Sequence, residues 1–201
     1  VVLGVLLSLL FAAHWTEGYA DMIQKGIGGK VVRFHVLANS DSEADQTLKL
    51  AVRDRVLQEY GDLLETCTSK EETLAALKNA QQEISETAEA EVLAQGYTYP
   101  VRVSLVREEF PFKKYGDLIF PAGVYDALRI EIGEAKGKNW WCVLYPQMCY
   151  VDAAWGYSTE ESHVRLQNTL TKEEFLVVSA MEQKKVAPKI KCRLVELWSE
   201  R

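Results

Sequence analysis

The pattern of polar and apolar positions has two different periods along the chain, and each period predicts one kind of secondary-structure element. The β-rich run Val31–Leu37, bounded by Asn39, Ser40 and Asp41, predicts a strand. Ser40 and Glu43 match a capping box and predict that a helix begins there. Apolar residues then recur every four positions and form the predicted buried stripe: Ala44, Leu48, Val52, Val56 and Tyr60. We expect the polar residues Lys49, Arg53 and Glu59 to lie away from that stripe, and the helix to end at Gly61 or Leu64.

A second helix is predicted from a second capping pattern, either Thr68 with Glu71 or Ser69 with Glu72. Gly96 is placed to end this helix. Its predicted core face consists of Leu74, Leu77, Ile84, Ala88 and Val92.

Beyond Gly96 the period changes to two, which predicts strands. The runs Tyr97–Arg107 and Val124–Ile132 alternate, and Trp140–Tyr145 is a third apolar candidate that Pro146 ends. Pro100 indicates an edge strand or a strand start. Phe120–Gly123 reads as a turn and Gly133–Gly137 as a polar loop. Thr171 with Glu174 predicts one more helix, and Lys189–Trp198 predicts a last strand.

This order of elements predicts an α+β fold. A largely antiparallel sheet is covered on one face by two long helices, with a further C-terminal helix and strand. We divide the chain into residues 1–20 as an export segment, residues 21–30 as a flexible lead containing Gly26, Gly28 and Gly29, and residues 31–201 as a single α+β signalling domain.

The apolar run Val1–Ala13 contains no charge and resembles the core of a signal peptide or a truncated signal anchor. Gly18 and Ala20 suit signal peptidase cleavage after Ala20, and cleavage after Ala13 is an alternative. A buried N-terminal helix is the competing interpretation. We therefore expect the protein to cross a membrane and to contact one only through this segment.

Charge and composition exclude several classes of function. A net charge of −6 over 201 residues gives the whole molecule no attraction for nucleic acid. The sequence contains no glycine-rich phosphate loop, paired-His metal motif, nucleophile elbow or Cys-x-x-Cys. We therefore expect no cofactor, no metal and no catalytic residues.

The four cysteines are more informative in an exported chain, because disulfides form and persist in oxidising compartments. Pro146 can turn the chain between Cys142 and Cys149, which favours a disulfide over free thiols. Cys67 and Cys192 could also pair, but only the even number of cysteines supports this pairing. The rival interpretation is a catalytic Cys142 activated by His163 or His35, as in an extracytoplasmic hydrolase acting on the cell wall.

Two segments resemble the stage II sporulation protein R family over about residues 31–152. The first is Arg33–Ser42 followed by Asp45, Gln46 and Lys49; the second is Phe120–Tyr125 together with Asn139–Cys149. Tandem tryptophans followed by a cysteine and a proline-turned second cysteine form a specific pattern. Where the family commonly has Phe-Pro-Pro, this chain has Tyr145-Pro146-Gln147.

The resemblance implies an exported signal rather than an enzyme. Members are made in the forespore and secreted across its membrane into the intermembrane space. There they activate a membrane-embedded aspartic protease of the mother cell, which leads to processing of pro-sigma-E. Such a role agrees with an export segment, cysteines suited to an oxidising compartment and the absence of a catalytic motif.

Aromatic residues concentrate binding energy, so we expect Trp140, Trp141 and Tyr145, with Asn139, to form or support the receptor-binding surface. Because successive strand residues point to opposite faces, one tryptophan can equally belong to the core. The first segment admits two roles as well, since Ser40 can act as a helix cap. Arg33 either pairs with Asp45 or faces solvent. The family-motif residues in this segment are Arg33, Asn39, Ser40, Asp41, Asp45, Gln46 and Lys49.

Overall fold

A computed structural model of the chain describes residues 18–149 and 160–180, together with Gly4. Its elements in chain order are α1 (residues 18–30), β1 (Val32–Leu37), α2 (Glu43–Glu65), α3 (Lys70–Asn79), α4 (Gln81–Ala94), β2 (Val101–Phe110), β3 (Lys113–Tyr115), β4 (Leu118–Phe120), β5 (Gly123–Ile132), β6 (Asn139–Tyr145), α5 (Glu160–Thr169) and α6 (Lys172–Ala180).

The main sheet has four strands in the order β2-β5-β1-β6, and β3 pairs with β4 in a separate hairpin. The pairs β2–β5 and β1–β6 are antiparallel, whereas β1 and β5 are parallel. The parallel pair arises because three helices and three strands separate β1 from β5 along the chain. The α+β class and the largely antiparallel sheet are therefore confirmed, and Pro100 directly precedes an edge strand.

One face of the sheet packs against α2, α3 and α4 and forms the first core. The predicted stripe of α2 is buried at Leu48, Val52, Val56 and Tyr60. Two residues of α2 depart from the prediction, since Ala44 is exposed and Lys49 is buried. The helix runs past Gly61 to Glu65, one residue beyond the later of the two predicted ends.

The predicted second helix is two helices, α3 and α4, that meet at Ala80. No proline or glycine marks this joint, so the sequence carries no signal for it. Ser69 caps α3 by accepting a hydrogen bond from the backbone N–H of Glu72. Gly96 ends α4 with a positive φ of 84°, as predicted, and the N–H of Tyr97 returns to the carbonyl of Val92.

The opposite face of the sheet packs against α1, α5, α6 and the β3–β4 hairpin and forms the second core. The prediction of a flexible lead at residues 21–30 is wrong, because these residues are helical and bury Ile23 and Ile27. Gly28 permits close packing, since a Cβ there would lie 2.5 Å from the carbonyl oxygen of Val124. Its small size serves packing and not mobility.

The cap of α6 is confirmed in both directions: Thr171 accepts from the N–H of Glu174, and the Glu174 carboxylate accepts from the N–H of Thr171. The predicted last strand, Lys189–Trp198, lies outside the described residues. So does the export segment, except for Gly4 and residues 18–20. None of the helices within the described part of the chain has the length and apolar character needed to cross a bilayer.

Candidate receptor-binding strand and its supports

The predicted motif residues after β1 converge on the buried carboxylate of Asp45. Its Oδ2 accepts hydrogen bonds from Asn39 Nδ2 at 2.9 Å and Ser40 Oγ at 2.5 Å. The hydrogen bond from Ser40 is the main cause that lowers the pKa of Asp45 below its ordinary value of 3.8. The prediction that Ser40 caps α2 is therefore wrong. Ser42 caps this helix instead, by accepting a hydrogen bond from the backbone N–H of Asp45.

The same network reaches the loop between β5 and β6. Lys49 Nζ donates to Gln46 Oε1 at 2.6 Å and to the carbonyl of Lys138 at 3.0 Å, and Gln46 Nε2 donates to the carbonyl of Ser40. Asp41 accepts from the N–H of Lys138 at 2.6 Å. These bonds fix the backbone immediately before β6. The motif residues therefore hold the start of that strand in place.

Asn39 holds the beginning of the same loop. Its Oδ1 accepts from the N–H of Glu134 at 2.9 Å, and the N–H groups of Lys136 and Gly137 donate to the carbonyls of Asn39 and Ala38. Gly133 has a φ of 61°, and a Cβ there would lie 2.3 Å from Asn39 Oδ1. Only glycine fits this contact without strain.

Arg33 lies apart from this network, on the second-core face of the sheet, and is fully buried. Both predicted environments are therefore wrong, since it neither pairs with Asp45 nor faces solvent. Its Nε donates to the carbonyl of Cys142 at 3.0 Å, and one terminal nitrogen donates to Tyr115 Oη at 2.7 Å. Four aromatic rings surround the guanidinium within 6 Å of its central carbon: Phe110, Tyr115, Phe120 and Tyr125.

The two tryptophans of β6 lie on opposite faces of the sheet, and both are half-buried. Trp140 packs edge-on against Phe34 in the first core, with the guanidinium of Arg53 4.8 Å from its ring centre. Trp141 stacks on His35 at 4.8 Å between ring centres and has Lys113 Nζ 5.2 Å above it. Each ring is thus both a core contact and a partly accessible surface.

The far end of β6 is braced by the predicted disulfide between Cys142 and Cys149, whose Cα atoms are 5.6 Å apart. The N–H of Met148 donates to the carbonyl of Val143, so the chain after Pro146 returns along the strand. Tyr145 Oη donates to the carbonyl of Thr68 at 2.7 Å. Cys67 is free and half-buried, and Cys192 lies outside the described residues.

Comparison with known proteins shows the family to which the chain belongs. A family model described as "Stage II sporulation protein R (spore_II_R)" matches residues 28–155. The chain belongs to the stage II sporulation protein R family. It is also similar to stage II sporulation protein R of Bacillus subtilis (strain 168), at 32% identity over 184 residues, which covers 87% of this chain and 82% of the relative. No solved structure matches the chain.

Family membership supports a role in sporulation. The region matched by the family model includes β1, the Asp45 network, the aromatic box around Arg33 and the disulfide. The motif residues predicted from the resemblance therefore divide into two supports for one strand. The Asp45 network fixes the start of β6, and Arg33 holds its middle through the carbonyl of Cys142.

The geometry does not favour a Cys–His catalytic pair. Cys142 is buried, its sulfur is in the disulfide, and its side chain lies in the first core. His35 lies on the other face of the sheet, where Nε2 is 2.7 Å from Glu108 Oε1. His163 belongs to α5, on that same second face, with its Nε2 2.9 Å from Asp117. Within the described ranges no group of His, Cys, Asp and Glu side chains could hold a metal ion.

Sequence reasoning missed the charged and aromatic surroundings of Arg33 and His35. Phe110 contacts both residues, and Arg129 bonds to Glu108 beside His35. Burial of His35, together with the positive charges of Arg129 and Arg33, lowers its pKa from 6.5 to about 3. One sequence signal indicates this polar environment: Arg33 and His35 alternate with apolar residues in a strand that is buried on both faces.

Proposed function

We propose that this protein is an exported signal of sporulation that activates a membrane-embedded aspartic protease by contact, which leads to processing of pro-sigma-E. One structural observation carries the proposal. Strand β6 presents two half-buried tryptophans on a frame held by a disulfide, a buried arginine and the Asp45 network. Such a pre-ordered aromatic surface binds with little loss of conformational entropy.

Activation by contact needs a difference in affinity between two states of the receptor. Moving a receptor from 1:99 to 99:1 in favour of its active state requires about 5.5 kcal/mol of differential binding. A few desolvated tryptophan contacts supply energies of this order, since interface hot spots are worth about 2 kcal/mol or more each. The receptor would then do the chemistry, and this protein would select its active state.

The disulfide supports secretion across the forespore membrane into the intermembrane space, because disulfides persist in oxidising compartments. The competing function, a cysteine-dependent hydrolase, would need a thiolate at Cys142. The disulfide and the burial of that residue argue against it.

The test is co-expression with the mother-cell protease and its pro-sigma-E substrate in a host that does not sporulate. We expect cleavage with the wild-type chain and a loss of about tenfold for Trp140→Ala or Trp141→Ala, because each change removes a hot-spot contact. Leu93→Ala is the matched control, since Leu93 is an exposed apolar residue of α4. Full cleavage with a folded double tryptophan variant would overturn the proposed binding surface.

A further inference from the structure

The two edges of the main sheet are protected differently. Edge strand β2 carries four charged residues, Arg102, Arg107, Glu108 and Glu109, and its Val103 carbonyl accepts from Gln81 Nε2 at 2.9 Å. Edge strand β6 contains no charged residue. Proteins usually block a strand edge with charge, proline or a covering segment, because an unprotected edge pairs with other chains.

Among the described residues, the return turn covers only the far end of β6. The carbonyl of Val143 accepts from the N–H of Met148 at 3.1 Å, so the backbone groups of Val143 point away from β1. Because backbone direction alternates along a strand, those of Trp141 and Asn139 point the same way. Within the described part of the chain no strand pairs with this side of β6, and these outward groups have no backbone partner.

Several positive groups lie around this free stretch, together with the carboxylate of Asp41, which accepts from the N–H of Lys138. Lys113 stands over Trp141 and has no ion-pair partner among the described residues. The exposed Lys138 precedes β6, and Lys49 is bonded to carbonyl oxygens and not to a carboxylate. Arg53 over Trp140 is partly neutralised by Asp54 at 2.6 Å. A segment bearing carboxylates would complement this surface.

We propose that the outer edge of β6 at residues 139–141 binds an extended, acidic segment of the receptor as an added strand. The inference rests on the proposed function and specifies how that contact is made. Asn139 and Trp141 each offer one outward N–H and one outward carbonyl. A segment of about four residues matches this short edge at strand spacing.

The side chains around the edge fit an added strand. Trp140 and Trp141 lie on opposite faces, so the segment would pack beside one indole above the sheet and the other below it. A carboxylate of the incoming segment on the Trp141 side would meet Lys113 Nζ.

The experiment separates backbone from side chain at Asn139. Asn139→Pro removes one outward N–H at the first position of β6, where proline is tolerated, while Asn139→Ala keeps that N–H. In the co-expression assay we expect Asn139→Pro to lose about tenfold more pro-sigma-E cleavage than Asn139→Ala, because only the proline removes the backbone N–H. A folded Asn139→Pro variant with wild-type cleavage overturns the inference.

Two further measurements do not depend on the proline variant. Adding the protease solubilised in detergent should slow amide exchange of Trp141 by about tenfold or more, whereas the inward-facing amide of Trp140 should hardly change. Lys113→Glu should reduce cleavage by about tenfold, and Lys78→Glu on α3 makes the same charge change as a control.

The outcomes distinguish the two proposals. If the wild-type chain triggers cleavage while the Trp141 amide stays unprotected and Lys113→Glu is active, the added strand is wrong and the signalling function stands. If the wild-type chain triggers no cleavage, both fail. Cleavage with protection at Trp141 and loss in Lys113→Glu supports both.

Discussion

The two faces of the sheet are built from the same strands but hold the protein together in different ways. On one face β1 contributes Val32, Phe34 and Val36 to an apolar core. On the other face the alternating residues are Arg33 and His35, among aromatic rings and charged groups. The first face gains stability from area removed from water, while the second depends on the fit of individual polar contacts.

This difference has consequences for tolerance to change. Burying one large apolar side chain stabilises the fold by about 1.5–3 kcal/mol, whatever its exact neighbours. A buried hydrogen bond adds only about 1 kcal/mol net, but an unmet partner costs about 1–3 kcal/mol. On the first face, stability should therefore fall when side-chain volume is removed. On the second face, it should fall when a hydrogen-bond partner is removed or misplaced. Strand β6, the proposed binding strand, takes support from both.

The largest expected effect is on the apolar face. Phe34→Ala should lower the free energy of unfolding by about 4 kcal/mol, because it removes a fully buried ring and leaves a cavity beside Trp140. Urea denaturation followed by tryptophan fluorescence measures this change. Phe34→Leu should lose less, since it keeps part of the volume. A loss below about 1 kcal/mol for the alanine variant would contradict a tightly packed first core.

The first face is also the one that the sequence predicts well. Period-four and period-two patterns identify α2 and the strands, because burial on one side leaves a repeating signal. The sequence predicts a flexible lead at residues 21–30 because glycine is typical both of mobile segments and of close packing. Only the tertiary contact of Gly28 with Val124 shows that close packing is the reason here. The joint at Ala80 leaves no local signal at all.

The second face and the polar supports of β6 are less accessible to sequence reasoning. The family motif indicates that Arg33 and Asp45 matter, and the cysteine spacing correctly predicts the disulfide. Their partners are distant in sequence: Tyr115 bonds to Arg33, and Glu134 and Lys138 bond to Asn39 and Asp41. Such contacts depend on strand order, which one sequence without its fold does not reveal.

A smaller effect is expected for Arg33→Met on the polar face. The variant keeps much of the volume but leaves the buried carbonyl of Cys142 and the hydroxyl of Tyr115 without their donor. We expect a loss of about 2–3 kcal/mol in the free energy of unfolding, measured by urea denaturation. Arg33→Lys should not restore stability, because one ammonium cannot reproduce the fork of the guanidinium. A stability equal to wild type for Arg33→Met would mean that packing alone supports this face.

The smallest effect at neutral pH, and the most specific to the second face, concerns His35. Its pKa falls from 6.5 to about 3 on folding, because the ring is buried and Arg129 and Arg33 repel a proton. Between these values the unfolded chain binds a proton that the folded chain does not, so acid favours unfolding. From pH 6.5 to 5 the free energy of unfolding should fall by about 2 kcal/mol, at about 1.4 kcal/mol per pH unit.

Denaturation series at several pH values measure that slope, and Arg129→Gln tests its cause. The ion pairs of Arg129 with Glu108 and Glu131, at 3.1 and 3.5 Å, are part-exposed. Their loss should therefore change stability at pH 7 by less than about 1 kcal/mol. With one repelling charge gone and Glu108 still 2.7 Å from Nε2, the pKa of His35 in the folded chain should rise, so the loss of stability with acid should level off at a higher pH and be smaller in total. A loss that levels off at the wild-type pH in Arg129→Gln, with wild-type stability at pH 7, would leave burial and the charge of Arg33 as the causes. The charge of Arg129 would then not contribute, and this part of the polar face would resemble the apolar one in being governed mainly by exclusion of water.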